Sequence, residues 1–250
     1  MELLLKPESW VALLTLTFLE IVLGVDNIIF VSIVSNKLPE EKRARARNIG
    51  LSLALFFRIG LLLGITWIIH FTEPLFTVFD HGISGRDIIL AVGGMFLMGK
   101  STMEINHKME VHESKETTSS PVASVAAIIV QIIALDIIFS FDSILTAVGL
   151  TEHVLLMIIA VVISLGIMMV FAGRISAFIA KHPSLEILAL SFLILIGFML
   201  MVEAMGHHVP KGYIYFAVFF SLIVEILNMR TRKVEEKVKL SKKVERKASK

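Results

Sequence analysis

The sequence contains no cysteine, only two tryptophans, two tyrosines and six prolines, and few charges, since Asp, Glu, Lys and Arg make up 18% of its 250 residues. Without cysteine there can be no disulfides, thiolate metal sites, thioether-linked haem or thiol nucleophile. The scarcity of charge, set against 56% hydrophobic residues and a mean hydropathy of +0.81, excludes an ordinary soluble domain. A net charge of +2 leaves no electrostatic footprint for nucleic acid. The phosphate-binding-loop, zinc-protease and serine-hydrolase motifs are missing too, so the chain is read as no enzyme, with no nucleotide drive of its own.

Long apolar runs fill the space. A helix needs about 20 mostly apolar residues to cross a bilayer. Such runs lie at Trp10–Val34, Ile49–His70, Arg86–Met103, Val122–Leu150, His153–Phe171, Leu185–Met205 and Gly212–Met229. They predict an all-α polytopic membrane protein with seven transmembrane helices. The first run continues past Asp26 with no small-residue cleavage site and is read as a span rather than a signal peptide. Between spans, 100–121 is short and polar, and 230–250 forms a charged tail whose spacing suits a solvated helix beside the membrane. Lys37, Lys42, Arg43, Arg45 and Arg47 follow the first span, Lys100, Lys108 and Lys115 the third, and Arg174 and Lys181 the fifth, whereas even-numbered loops carry at most one basic residue. The positive-inside rule then places the N-terminus outside and the C-terminus in the cytoplasm.

The first and fourth spans repeat one polar pattern. EIVLGVDNI (Glu20–Ile28) aligns without a gap on DIIFSFDSI (Asp136–Ile144), which sets acid on acid twice and Asn27 on Ser143. A weaker match joins LAVGGMFLMG (Leu90–Gly99) to LALSFLILIG (Leu188–Gly197) in the third and sixth spans. The chain therefore reads as a transmembrane domain over 1–229 and a tail over 230–250. Within the domain, repeat one covers about 10–104, repeat two about 122–205, and a seventh helix about 212–229. Three spans are an odd number, so the second unit enters from the opposite side. The result is a 3+3 inverted repeat, an architecture that in transporters binds substrate near the midplane where the repeats meet.

On a helix, Glu20, Gly24 and Asn27 share one stripe, as do Asp136, Ser140 and Ser143. Asp26 and Asp142 fall about 100° away and would join the others only where the helix unwinds, as Gly24 permits, or where they line a neighbouring wall of one cavity. An acid at a helix centre costs about 2.5–3.5 kcal/mol on insertion scales, so four such groups demand protons, ion pairs or a bound cation. The membrane-embedded bases, Arg58 and Arg174, are too few to neutralise four acids. Carboxylate, amide and hydroxyl oxygens suit a hard divalent ion such as Mg²⁺, Ca²⁺ or Mn²⁺.

These segments resemble the TerC family of integral membrane proteins. LEIVLGVDNIIF and LDIIFSFDSILTAVGL look like its two signature segments, and HPSLEILALSFLILIGF with HVPKGYIYFAVFFSLIVEILN looks like its C-terminal third. The resemblance implies a seven-helix fold related to lysine exporters, a bacterial cytoplasmic (inner) membrane location, and manganese(II) export and metal homeostasis. It also implies that Glu20, Asp26, Asn27, Asp136, Asp142 and Ser143 bind the ion. The expected function is secondary transport of a divalent metal ion, Mn²⁺ foremost, out of the cell in exchange for protons. The transported ion and the lipid bilayer are the partners, and no prosthetic cofactor is expected. The alternative is a membrane scaffold that assists membrane-protein assembly without transport. Gln131, Glu104, Glu203, Glu225 and the outer-loop histidines His70, His81, His207 and His208 are read as hydrogen-bonding, interface or solvated residues.

Overall fold

The computed structural model describes the chain apart from residues 1–5, 66–68, 70, 79–80, 114–123, 150, 152, 208 and 249–250. The side chains of 26, 78, 81, 110–113, 142 and 232–248 also lie outside the description. The described chain is almost wholly helical and divides into two compact units, Met1–Val209 and Pro210–Lys250.

The first unit contains α1 (Pro7–Ser35), α2 (Glu40–Leu63), the strands β1 (Pro74–Val78) and β2 (His81–Ser84), α3 (Gly85–Glu113), α4 (Val125–Val148), α5 (Val154–Ala180) and α6 (Pro183–Ala204). The second is one helix, α7 (Lys211–Ala248), which continues without a break past Arg230. Among the described residues, seven helices are long and apolar enough to span a membrane, as the sequence predicts; in α7 that stretch is Lys211–Thr231.

Helix ends follow local chemistry rather than hydropathy. Proline stands in the first turn of α1 and of α6, where its missing N–H is no loss. The α2 helix begins well before the expected Ile49, because Glu40 and Glu41 in its first turn suit the positive N-terminal end and the following Lys, Arg and Ala residues are strong helix formers. For the same reason α3 runs through the polar residues after Met103 to Glu113. Ser84 and Asp87 start α3 with a capping box: the Asp87 N–H donates to Ser84 Oγ at 3.2 Å and the Ser84 N–H to Asp87 Oδ2 at 2.9 Å. At the end of α6, Gly206 takes φ 81°, so the N–H of His207 donates to the Val202 carbonyl and that of Gly206 to Glu203. Sequence hydropathy gave no sign of the antiparallel β1–β2 hairpin that joins α2 to α3, with Thr77 opposite Gly82 and Val78 opposite His81.

The first unit turns large apolar side chains outward and holds a polar layer within its largely apolar interior. Phe18, Phe56, Val130, Val170 and Phe198 are exposed, while Glu20, Arg58, Asp136 and Ser140 are buried. That order suits lipid as the surrounding solvent, and the protein is membrane-embedded. The most extensive packing pairs α3 with α6, α1 with α5 and α2 with α4. Exchanging each helix for the one three places along converts the second pairing into the third and leaves the first unchanged. The α3–α6 crossing brings backbones together: a Cβ on Gly94 would lie 2.5 Å from the Gly197 carbonyl oxygen, and one on Gly197 2.8 Å from that of Gly94. Small residues at such crossings permit this approach.

Candidate cation site

The α1 stripe of Glu20, Gly24 and Asn27 and the α4 stripe of Asp136, Ser140 and Ser143 are all buried, and they meet. The Asn27 amide donates to Asp136 Oδ1 at 3.4 Å, and Ser140 Oγ donates to Asp136 Oδ2 at 3.1 Å. Ser143 lies one turn from Ser140, within hydrogen-bonding reach of Glu20, and its hydroxyl also faces the Ser140 carbonyl at 3.2 Å.

Asp26 and Asp142 belong to unbroken stretches of α1 and α4, and their side chains lie outside the described residues. The local unwinding that would carry them onto the stripe is not present. Gly24 sits in regular helix and serves close approach instead, since a Cβ there would collide with the sulfur of Met168 on α5. Of the six residues expected to bind the ion, the structure thus joins Glu20, Asn27, Asp136 and Ser143 in one layer.

The centre of that layer is a residue outside those six. Arg58 of α2, only 2% exposed, donates through Nη1 to Glu20 Oε2 at 2.6 Å, through Nη2 to Asp136 Oδ1 at 3.3 Å and through Nε to Ser140 Oγ at 2.7 Å. The guanidinium fork therefore ties an acid of each repeated motif to one cation, a geometry that Arg favours and Lys does not. In the sequence Arg58 stands as a lone charge in the apolar run LALFFRIGLLLG, with no spacing on its own helix that sets it beside Glu20 or Asp136. The ungapped register that sets Glu20 on Asp136 also sets Arg58 on Arg174, whose side chain is exposed. Among these described side chains, two carboxylates face one guanidinium, which leaves one negative charge over.

Above and below this layer the molecule differs. Toward the start of α1, Leu13, Leu16, Leu62, Phe141, Ile144 and Met157 form a buried apolar cluster. In the other direction, a void of about 10 Å³ touches Asn27, Phe30, Leu51 and Asp136, room for about one water. Beyond it, where α1 ends, a cavity of about 410 Å³ is lined by Ile33, Asn36, Lys37, Glu104, Lys108 and Glu186 among others. There Lys37 pairs with Glu104, and Lys108 with Glu186 at 2.7 Å. Asn36 and Ser176 exchange hydrogen bonds beside it, at 2.9 and 3.4 Å.

At the opposite end of α3, Arg86 reaches Glu203 at 3.5 Å and Asp87 at 3.8 Å. The side-chain oxygen of Gln131 is buried with no hydrogen-bond partner among the described residues, and His207 is exposed. No cluster of three or more His, Cys, Asp or Glu side chains occurs among the described residues. The layer nevertheless offers carboxylate, amide and hydroxyl oxygens, a donor set that fits a hard divalent ion and gives a soft one nothing to prefer.

Comparison with known proteins adds a family. Residues 5–240 match the model of the integral membrane protein TerC family. The chain is 54% identical over 223 residues to the UPF0053 inner membrane protein YgdQ of Escherichia coli strain K12, covering 89% of this chain and 93% of that one. It is 48% identical over 233 residues to a UPF0053 protein of Haemophilus influenzae, covering 93% and 98%. A third relative, the UPF0053 inner membrane protein YoaE of E. coli, is 44% identical over 233 residues, which span 45% of its length. No solved structure matches.

Proposed function

The chain belongs to the TerC family of integral membrane proteins, and we propose that it works there as a secondary transporter of a divalent cation, manganese(II) foremost, exported in exchange for protons. One observation carries this reading: Glu20 and Asp136, acids at matched positions of α1 and α4, are buried against each other's partners at the middle of their helices. Carboxylates at that depth are expensive and mark ion paths. The packing pattern, unchanged when the halves are exchanged, supports an inverted repeat with its site at the interface. The names of the relatives support a place in the inner membrane.

On this reading the cavity beside Lys37 and Glu104 is the cytoplasmic mouth, since the basic first loop lies there, and the apolar cluster around Leu16 and Ile144 is the closed outer gate. An ion entering through the mouth would meet Asn27 and Asp136 first. Rocking of one half against the other then opens the outer side, where protons on the acids favour release. Asp26 and Asp142, next in sequence to Asn27 and Ser143, supply further charge to the path. No chemical transformation is assigned to the protein.

The test is uptake of Mn²⁺ into inverted vesicles that contain the purified protein, under an imposed pH gradient, with Glu20→Gln/Asp136→Asn as control. The expected result is saturable, gradient-dependent entry that the control lacks. The scaffold reading draws on Arg58, which already gives both acids a partner. Exclusion of Mn²⁺, Mg²⁺ and Ca²⁺ alike would refute divalent-ion transport and leave the scaffold reading.

A further inference from the structure

The transport reading leaves one group without a task. Arg58 is fully buried, held by three hydrogen bonds, and occupies the place between Glu20 and Asp136 that a cation would need. Its charge and that of a bound divalent ion cannot share this space, because both require the same carboxylate oxygens and repel each other. We propose that Arg58 is a tethered stand-in for the transported cation: it fills the acid pair when the site is empty, gives way when the ion binds, and returns on release. The inference rests on the transport reading.

Charge accounting shows what this achieves. With the divalent ion bound, its two charges balance the two carboxylates, and the displaced guanidinium carries its own charge out of the pair. With the ion gone and Arg58 returned, one negative charge remains for a single returning proton to neutralise; without Arg58 there would be two. Without Arg58 the empty site could cross its midway state only with both acids protonated, whereas with Arg58 in place a single returning proton suffices. Ser140 fits this role. Its hydroxyl accepts from Arg58 Nε and donates to Asp136, so it holds the fork in register with the acids. The approach lane is the void beside Asn27 and Asp136, which leads the ion to the acids from the side opposite the apolar cluster.

The experiment compares two fluxes in proteoliposomes: net Mn²⁺ movement into vesicles without internal Mn²⁺, and exchange of labelled for unlabelled Mn²⁺. Wild type should support both. Arg58→Gln should lose net movement by about 100-fold, the factor carried by one more uncompensated charge at the membrane centre, while keeping exchange. It should also bind Mn²⁺ more tightly at equilibrium, since its competitor is gone. Arg174→Gln, the same change at the matched but exposed position, should leave the ratio of the two fluxes as in wild type.

A purely structural Arg58 would lower both fluxes together and would not tighten binding; either result overturns the proposal, as does wild type that exchanges without net movement. Should Arg58→Gln fail to fold, Arg58→Lys decides. An ammonium holds the acids at one point rather than through a fork, so Mn²⁺ binding must tighten while net movement persists; unchanged or weaker binding refutes the idea. If wild type carries no Mn²⁺ in either assay, the transport reading falls and this inference with it.

Discussion

Removing the Arg58 charge from the empty protein should be among the most damaging single changes available to it. At 2.6 and 3.3 Å, and with an effective dielectric of about 20, each contact to Glu20 and Asp136 has a Coulomb energy on the order of 5–6 kcal/mol, much of it offset by burying the charges. Arg58→Met keeps the apolar stem and deletes the fork, leaving carboxylates that are 2% and 5% exposed. Breaking a buried pair in this way costs about 3–5 kcal/mol. Replacing the nearer acid as well should recover much of the loss, so Glu20→Gln/Arg58→Met should be more stable than Arg58→Met alone. The interaction energy across that double-mutant cycle should fall at the upper end of the usual range of about 0.5–3 kcal/mol. The assay is reversible unfolding of the four proteins in mixed micelles, without divalent ions. If the two substitutions add to within about 0.5 kcal/mol, the pair is not coupled and the geometry of the layer is wrong.

Three other outcomes follow from the same packing and charges. Gly94→Val should lower stability by about 1–3 kcal/mol or prevent assembly, because the new side chain meets the Gly197 backbone, whereas Gly99→Ala, with nothing near its added methyl and a gain in helix propensity, should hold or raise Tm in detergent. Asn36→Ala removes the reciprocal hydrogen bonds to Ser176 that join α1 to α5, and should cost about 1 kcal/mol in the same melt. Asp26→Asn and Asp142→Asn should each weaken Mn²⁺ binding by roughly tenfold, about 1.4 kcal/mol, while the protein stays folded. Titration calorimetry showing parental affinity in both would remove these acids from the path.

The number of spans, the duplicated motif and the buried stripes were legible in the primary structure. The reason is that lipid leaves few solutions: backbone groups must bond within the helix, and apolar length, duplicated acids and a 3.6-residue period are all local properties. Helix ends were less legible, because hydropathy reports where lipid stops and not where the hydrogen-bond ladder stops. The α2 and α3 helices extend into charged residues that solvate well and still propagate a helix. The hairpin between them belongs to neither pattern.

The identity of the counter-charge was a tertiary matter. From the sequence, Arg58 is one basic residue on α2 against four acids on other helices, and neither its distance nor its direction can be read from spacing within its own helix. Packing of α2 on α4, with α1 alongside both, places the guanidinium between Glu20 and Asp136 and adds Ser140 as its third acceptor. The same packing leaves Arg174, its match in the repeat, exposed. Sequence alone determined which groups would need a partner in the membrane, because the energetic penalty of a buried charge is a property of the residue and its depth. Only the tertiary structure decided which partner each acid has, because that depends on which helices pack together and on which faces.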